Sequence, residues 1–142
     1  PPGAGVGSAL GFLQAPVAYE VIRSHYQQLD EIDIDETNRL IRLMRDEAYS
    51  VVYAGAEGQP TRETRTAFMR YMGQGHEVSV EIPVVVEETQ LDPDAAGRLR
   101  EAFEKEYHRL YERIIPGLEV EILTWSLLVS TLVSVLLRRL IP

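Results

Sequence analysis

Two alternating runs on either side of a pair of glycines limit this chain more than any other feature. Thr64, Thr66, Phe68, Arg70 and Met72 alternate with Arg65, Ala67, Met69 and Tyr71. Beyond Gly73-Gln74-Gly75, Val78, Val80 and Ile82 alternate with Ser79, Glu81 and Pro83. A period of two puts successive side chains on opposite faces of a strand. Two such strands joined by a short glycine-bearing connection read as a β-hairpin. Gly73 and Gly75 are expected to supply the positive φ that other residue types resist, so Gly75→Val is expected to disrupt the hairpin.

The rest of the chain supplies partners for that hairpin. Val17–Tyr26 is rich in β-branched and aromatic residues, with Val17, Tyr19 and Val21 on one side, and reads as a strand; a helix running to Leu29 is the alternative. Pro16 ends what precedes it. In Gly3–Ala15, small residues with Val6, Leu10 and Leu13 at helical spacing predict a short packing helix. There Gly3, Gly5, Gly7, Ser8 and Gly11 would let another backbone approach closely. This stretch lacks the Gly-Lys-Ser/Thr ending of a phosphate loop, and no strand precedes it as a dinucleotide fingerprint requires.

Asp33 with Glu36 three residues on forms a capping-box-like start. Leu40, Leu43/Met44, Ala48 and Val51 then mark the apolar face of a helix, and Gly55 and Gly58 stop it. Asp92-Pro93 opens a second helix with a buried stripe of Leu99, Ala102/Phe103, Tyr107, Leu110 and Ile114, closed by Pro116-Gly117. Leu118–Trp125 alternates at first and then turns apolar on both faces, as a strand entering a core does.

The order is a short Gly/Ala-rich helix followed by β-α-β-β-α-β. This predicts an α+β, ferredoxin-like split βαβ fold, an antiparallel sheet covered by two helices. The expected divisions are 1–15 for the leading helix, 16–130 for the domain and 131–142 for a tail in which Arg138 and Arg139 return to solvent. The last strand reads as too apolar to face water, which suggests a partner surface upon it, in cis or in trans.

Composition narrows the function classes. The 142 residues fit one domain, and 45% hydrophobic residues can fill its core. Fourteen basic against 22 acidic residues leave a charge of −8, which argues against nucleic acid and anionic membranes as partners. With no Cys there is neither a disulfide framework nor a thiolate metal site, which fits a cytoplasmic location. The opening shows no signal-peptide pattern, and Pro1-Pro2-Gly3 looks like a connection inside something larger. The apolar run Ile122–Leu137 is shorter than the ~20 residues of a spanning helix.

Of three histidines, His25 falls on a predicted strand and reads as structural. His108 has Glu104 and Glu112 four residues to either side, which would place three metal-capable groups on one helix face. Glu101 and Lys105 lie nearby, so a solvated charged face explains them better, and no metal site is expected. His76 follows the hairpin glycines, and at consecutive strand positions His76 and Glu77 would point to opposite faces. No metalloprotease helix, nucleophile elbow or Ser/His/Asp set is present. No catalytic residue is expected in this chain, and Gly73, Gln74, Gly75, His76 and Glu77 stand as hairpin or interface candidates.

Three blocks in the right order carry a family resemblance: Pro2–Gly11, Ala15-Pro16-Val17, and Ala-Phe-Met-Arg-Tyr-Met-Gly-Gln-Gly-His-Glu from Ala67 to Glu77. Together they resemble the C-terminal part of the hydantoinase A family, which includes 5-oxoprolinases, N-methylhydantoinases and the ATP-dependent acetone and acetophenone carboxylases. The resemblance implies that residues 3–14 are the last helix of an actin- or sugar-kinase-like ATP-binding fold completed by a partner. It implies that ATP and Mg belong to that partner and that no cofactor is held here. It also implies larger hydantoinase A-like and hydantoinase B-like subunits as partners, with ATP used to phosphorylate an enolate or amide oxygen and to activate bicarbonate. The apolar strand Val120–Val129 departs from the more polar ending expected of hydantoinases. The resemblance therefore leads to a small non-catalytic subunit of an ATP-dependent carboxylase acting on an aromatic ketone such as acetophenone. A C-terminal piece of a 5-oxoprolinase or N-methylhydantoinase, and a stand-alone ligand-binding module, are the alternatives.

Overall fold

A computed structural model of the chain describes residues 17–82 and 90–132. Its elements are β1 (Ala18–Gln28), α1 (Ile34–Ala56), β2 (Thr61–Tyr71), β3 (Val78–Ile82), α2 (Ala95–Tyr111) and β4 (Val120–Thr131), with a single 3-10 turn at Leu29–Glu31. The expected leading helix with Gly3, Gly5, Gly7, Ser8 and Gly11, and the tail beyond Leu132, lie outside the described residues.

The sheet runs β1-β4-β2-β3, and every neighbouring pair is antiparallel. Each βαβ unit is split by a strand of the other: β4 lies between β1 and β2, and β2 between β3 and β4. This is the α+β, ferredoxin-like split βαβ arrangement expected from the element order. Both helices pack on one face and share one core, in which Ile41, Met44, Ala48 and Val52 of α1 and Leu99, Phe103 and Tyr107 of α2 meet Ala67, Met69, Tyr71, Ile122, Trp125 and Leu127 of the sheet.

The apolar character of β4 has a simple cause. The strand is interior to the sheet, and its register against β2 slips between Phe68 and Met69, so that Leu123 is an extra residue. A bulge changes which parity faces the core. Val120 and Ile122 are buried before it, and Trp125, Leu127, Val129 and Thr131 after it. What reads in the sequence as a strand apolar on both faces is mostly one buried face with a change of step.

Four expected boundaries or faces move. The buried face of α1 is Ile41-Met44-Ala48-Val52, one residue round from the expected stripe, and Leu43 and Val51 are exposed. α1 includes Gly55 and ends at Ala56; Glu57, at φ 52°, and Gly58, at φ 78°, make the left-handed stop. α2 begins two residues later than Pro93, because Asp92 caps a preceding turn: its carboxylate accepts from the Asp94 N–H at 2.9 Å. α2 also ends at Tyr111 rather than at Pro116. Glu112 turns left-handed with φ 60°, and Leu110 and Ile114 are left exposed. The Asp33 cap is as read, its Oδ1 accepting from the Glu36 N–H at 3.0 Å.

Candidate functional site

The segment Met72–Glu77 closes the β2–β3 hairpin, with Met69 opposite Val78 as the last paired residues. It is a six-residue connection rather than a tight turn. The Gln74 N–H donates to the Tyr71 carbonyl at 3.0 Å, and Gly73 inside that turn has φ 81°. Gly75 does not have positive φ, and a Cβ placed on it would meet nothing within 4 Å. The expectation that both glycines serve backbone geometry therefore holds for Gly73 and fails for Gly75.

What stiffens this end is aromatic packing beneath the loop. Tyr71 meets Phe103 and Tyr107 edge to face, at centroid distances of 4.9 and 4.8 Å. Tyr107 meets Tyr111 at 4.6 Å, and Tyr111 carries the exposed His76 ring at 5.3 Å. The Tyr71 hydroxyl accepts from the Ile115 N–H at 3.0 Å, and the Met72 N–H donates to the Glu119 carbonyl at 2.8 Å. The segment after α2 is thus tied to the hairpin base. Such edge-to-face pairs contribute beyond their buried area.

The opposite face at the same end holds a buried carboxylate. Glu121 accepts from Arg70 Nε at 2.7 Å and from the Tyr26 hydroxyl. Burial pushes the Glu121 carboxyl up, but the Tyr26 and Arg70 hydrogen bonds together hold it below its ordinary value. Arg70 is held more firmly protonated by Glu121, with smaller help from Tyr26 and Glu77. His76 thus meets Tyr111 on the helix side while Glu77 acts on Arg70. Both residues lie in the connection before β3, so strand parity does not set their directions.

Other expected candidates separate. His108 lies on α2 and Glu112 leaves the helix at its left-handed cap, which breaks the Glu104-His108-Glu112 spacing. Glu104 approaches Arg100 at 4.0 Å. Among the described residues no group of three His, Asp or Glu side chains is arranged to hold a metal ion. No helix among them is long and apolar enough to cross a membrane.

Sequence reading missed two features. One is the network under α1, in which Glu63 accepts from Arg45 Nε at 2.8 Å, from Arg65 and from the Tyr49 hydroxyl at 3.1 Å. Glu63, Arg65 and Ala67 share one parity, so the position of Glu63 and Arg65 on the core side was a usable signal. The other is a cavity of about 490 Å³ between β3 and α2, with Ile82, Leu91, Leu99 and Ala102 as apolar wall and both cations (Arg65, Arg98, Lys105) and carboxylates (Glu81, Glu101) around it. It has the volume of a small-molecule pocket.

No family model matches the chain, and no curated protein does. Solved structures share its fold. The ATP-dependent caprolactamase from Pseudomonas jessenii superimposes with a TM-score of 0.71 at 23% identity, over 87% of this chain and 18% of that one. A nucleotide-free acetone carboxylase, from work on ATP-dependent acetone carboxylation, does so with a TM-score of 0.58 at 18% identity, over 87% of this chain and 19% of that one. The chain therefore spans less than a fifth of the length of each of these two proteins.

Proposed function

We propose that this chain is a non-catalytic part of an ATP-dependent enzyme that activates a carbonyl oxygen, and that it docks on and completes a larger hydantoinase A-like subunit holding ATP and Mg. One observation carries the reading: 87% of this chain matches a small part of each of two much longer chains, and both of those proteins are ATP-dependent. The Ala67–Glu77 block supports it from the sequence side. The first reading of the reaction is carboxylation of an aromatic ketone such as acetophenone with bicarbonate, with a hydantoinase B-like subunit as a further partner. The higher TM-score with the caprolactamase favours a second reading, a C-terminal part of an ATP-dependent enzyme that opens a cyclic amide.

Purification of the native assembly, with the intact mass of every chain, tests the class. A larger bound chain, or a longer polypeptide containing this sequence, is expected. ATP consumption that requires both acetophenone and bicarbonate supports the first reading, and consumption with a lactam but without bicarbonate supports the second. A soluble, folded monomer that binds no larger chain and promotes no ATP turnover would overturn both.

A further inference from the structure

The sheet leaves one long edge open. β1 pairs with β4 on one side, and among the described residues no strand lies on the other. The Thr131 N–H donates to the Val17 carbonyl at 3.0 Å, so the odd-numbered residues of this run turn their N–H and C=O groups toward β4. These directions alternate along an antiparallel strand, so Ala18, Glu20, Ile22 and Ser24 turn theirs outward. All four are exposed. Such an edge is a template for another strand. The run is regular from Ala18 to Ser24, where the register against β4 slips, and Val21 is its middle residue.

α1 overhangs this edge with an apolar flank. The helix is carried by β1 and β4. On its inner flank Arg45 and Tyr49 reach Glu63 of β2. On its outer flank Glu47 accepts from Arg23 of β1 at 2.9 Å. Leu43 and Val51 stand four residues before and after Glu47, on the same side of the helix, and are 63% and 42% exposed.

We propose that β1 pairs edge to edge and antiparallel with β1 of a second copy of this chain, about a twofold axis at Val21, so that two sheets become one. In this register Ala18 meets Ser24 of the second copy and Glu20 meets its Ile22, and each outward N–H finds an outward C=O. On the helix face Arg23 lies against Tyr19 of the second copy, as a cation–π pair. The charges at the seam are Glu20, Arg23 and Glu47 of each copy. Arg23 and Glu47 are paired, and the two Glu20 side chains are diagonal neighbours, each accepting from its own Ser126 hydroxyl at 2.8 Å. No like charges stand directly opposite.

The helices favour a second copy over a lone strand of another protein. With strands about 4.8 Å apart, a helix above β1 and β4 stands about one spacing from the axis. Its mate is then about 10 Å away, the separation of packed helices. Leu43 and Val51 are covered by the other copy's α1, whereas a lone strand satisfies the edge but brings no helix to them. This goes beyond the proposed function and does not depend on the reaction, because ATP turnover and pairing of copies are measured separately.

The test uses the full native assembly. The chain has no Cys, so the Tyr19→Cys, Arg23→Cys double variant adds the first thiols to it. Position 19 of one copy and position 23 of the other would face each other with Cα atoms about 4.5 Å apart, within disulfide reach. Two positions 19, two positions 23, or 19 and 23 of one chain would be about 13 Å apart, which is out of reach. Mild oxidation is expected to link two copies of the double variant and of neither single variant, as read by intact mass. Absence of the link, linkage of a single variant to the same extent, or linkage to a different protein would overturn the proposal. Adding Leu43→Lys and Val51→Lys to the double variant gives a second reading. Both positions are exposed, so the melting temperature is expected to hold within a few degrees while linkage falls at least about tenfold. Unchanged linkage with the fold intact would overturn the contact between the two helices, and with it the choice of a second copy as occupant.

Discussion

Two buried carboxylates, on opposite faces of the same sheet, show how differently this fold treats charge. Glu63 lies under α1, shared by Arg45 and Arg65; its side chain and that of Arg65 are 4% and 5% exposed. Glu121 lies on the face away from the helices and is shared by Arg70 and Tyr26; its own side chain is 1% exposed, but that of Arg70 is 32% exposed. Both carboxyls are held below their ordinary values against the opposing push of burial. The difference lies in the partner. Arg65 is enclosed with Glu63, whereas Arg70 can turn to water if Glu121 is removed. A buried pair is costly to break because one charge is stranded. A half-exposed one is less so.

The largest effect should follow from Glu63→Ala. Loss of the carboxylate shared by Arg45 and Arg65 is expected to destabilise the fold by about 3–5 kcal/mol, read as a lowered urea midpoint. Glu121→Ala should cost about 1–2 kcal/mol, because water can reach its guanidinium partner. Equal costs for the two would break the comparison and mean that the outer face is covered as deeply as the helix face.

The pH dependence sharpens the same contrast. Both folded carboxyls sit below the unfolded glutamate value of about 4.3. As pH falls, the unfolded chain takes up protons first, so the stabilisation is complete near neutrality and is lost from about pH 5 downward through the folded values. The combined Glu63→Gln, Glu121→Gln variant should therefore show a shallower fall in stability between pH 6 and 3 than the native chain. A slope identical to the native one would show that neither group contributes to acid sensitivity.

Much of the fold was legible because period and punctuation are local signals. The β2–β3 alternation, the Asp33 cap and the element order needed no tertiary information. The burial of Ile41 instead of Leu43, and of Val52 instead of Val51, was less legible. A helix stripe read from 3–4 spacing is uncertain by one residue when apolar residues stand on both sides of it. The Leu123 bulge was invisible, since it depends on pairing with both β1 and β2. Of the candidate site, the hairpin was found from its wording, but the aromatic stack below it joins residues far apart in the chain, and no spacing rule links Tyr71 to Tyr107 or His76 to Tyr111. The cavity beside α2 is likewise a product of packing between β3 and a helix that follows it.

The smallest effects concern the two hairpin glycines, which the sequence treats alike and the structure does not. Gly73 is left-handed at φ 81°, where an L side chain crowds its own backbone. Gly73→Ala is expected to cost about 1–2 kcal/mol and to lower protection of the Gln74 amide from hydrogen exchange. Gly75 carries no such requirement, and space surrounds it. Gly75→Val should change stability by less than about 0.5 kcal/mol, the reverse of the outcome expected from the sequence alone. The contrast between the faces explains why. The hairpin base is held on one side by the Arg70–Glu121 bridge and on the other by Tyr71 and its rings, so the loop tip is free of structural duty. If Gly75→Val leaves the melting temperature unchanged and still prevents assembly, the glycine is there for what approaches from outside. If it melts the domain, the loop tip is part of the fold after all, and the division between a braced base and a free tip has to be abandoned.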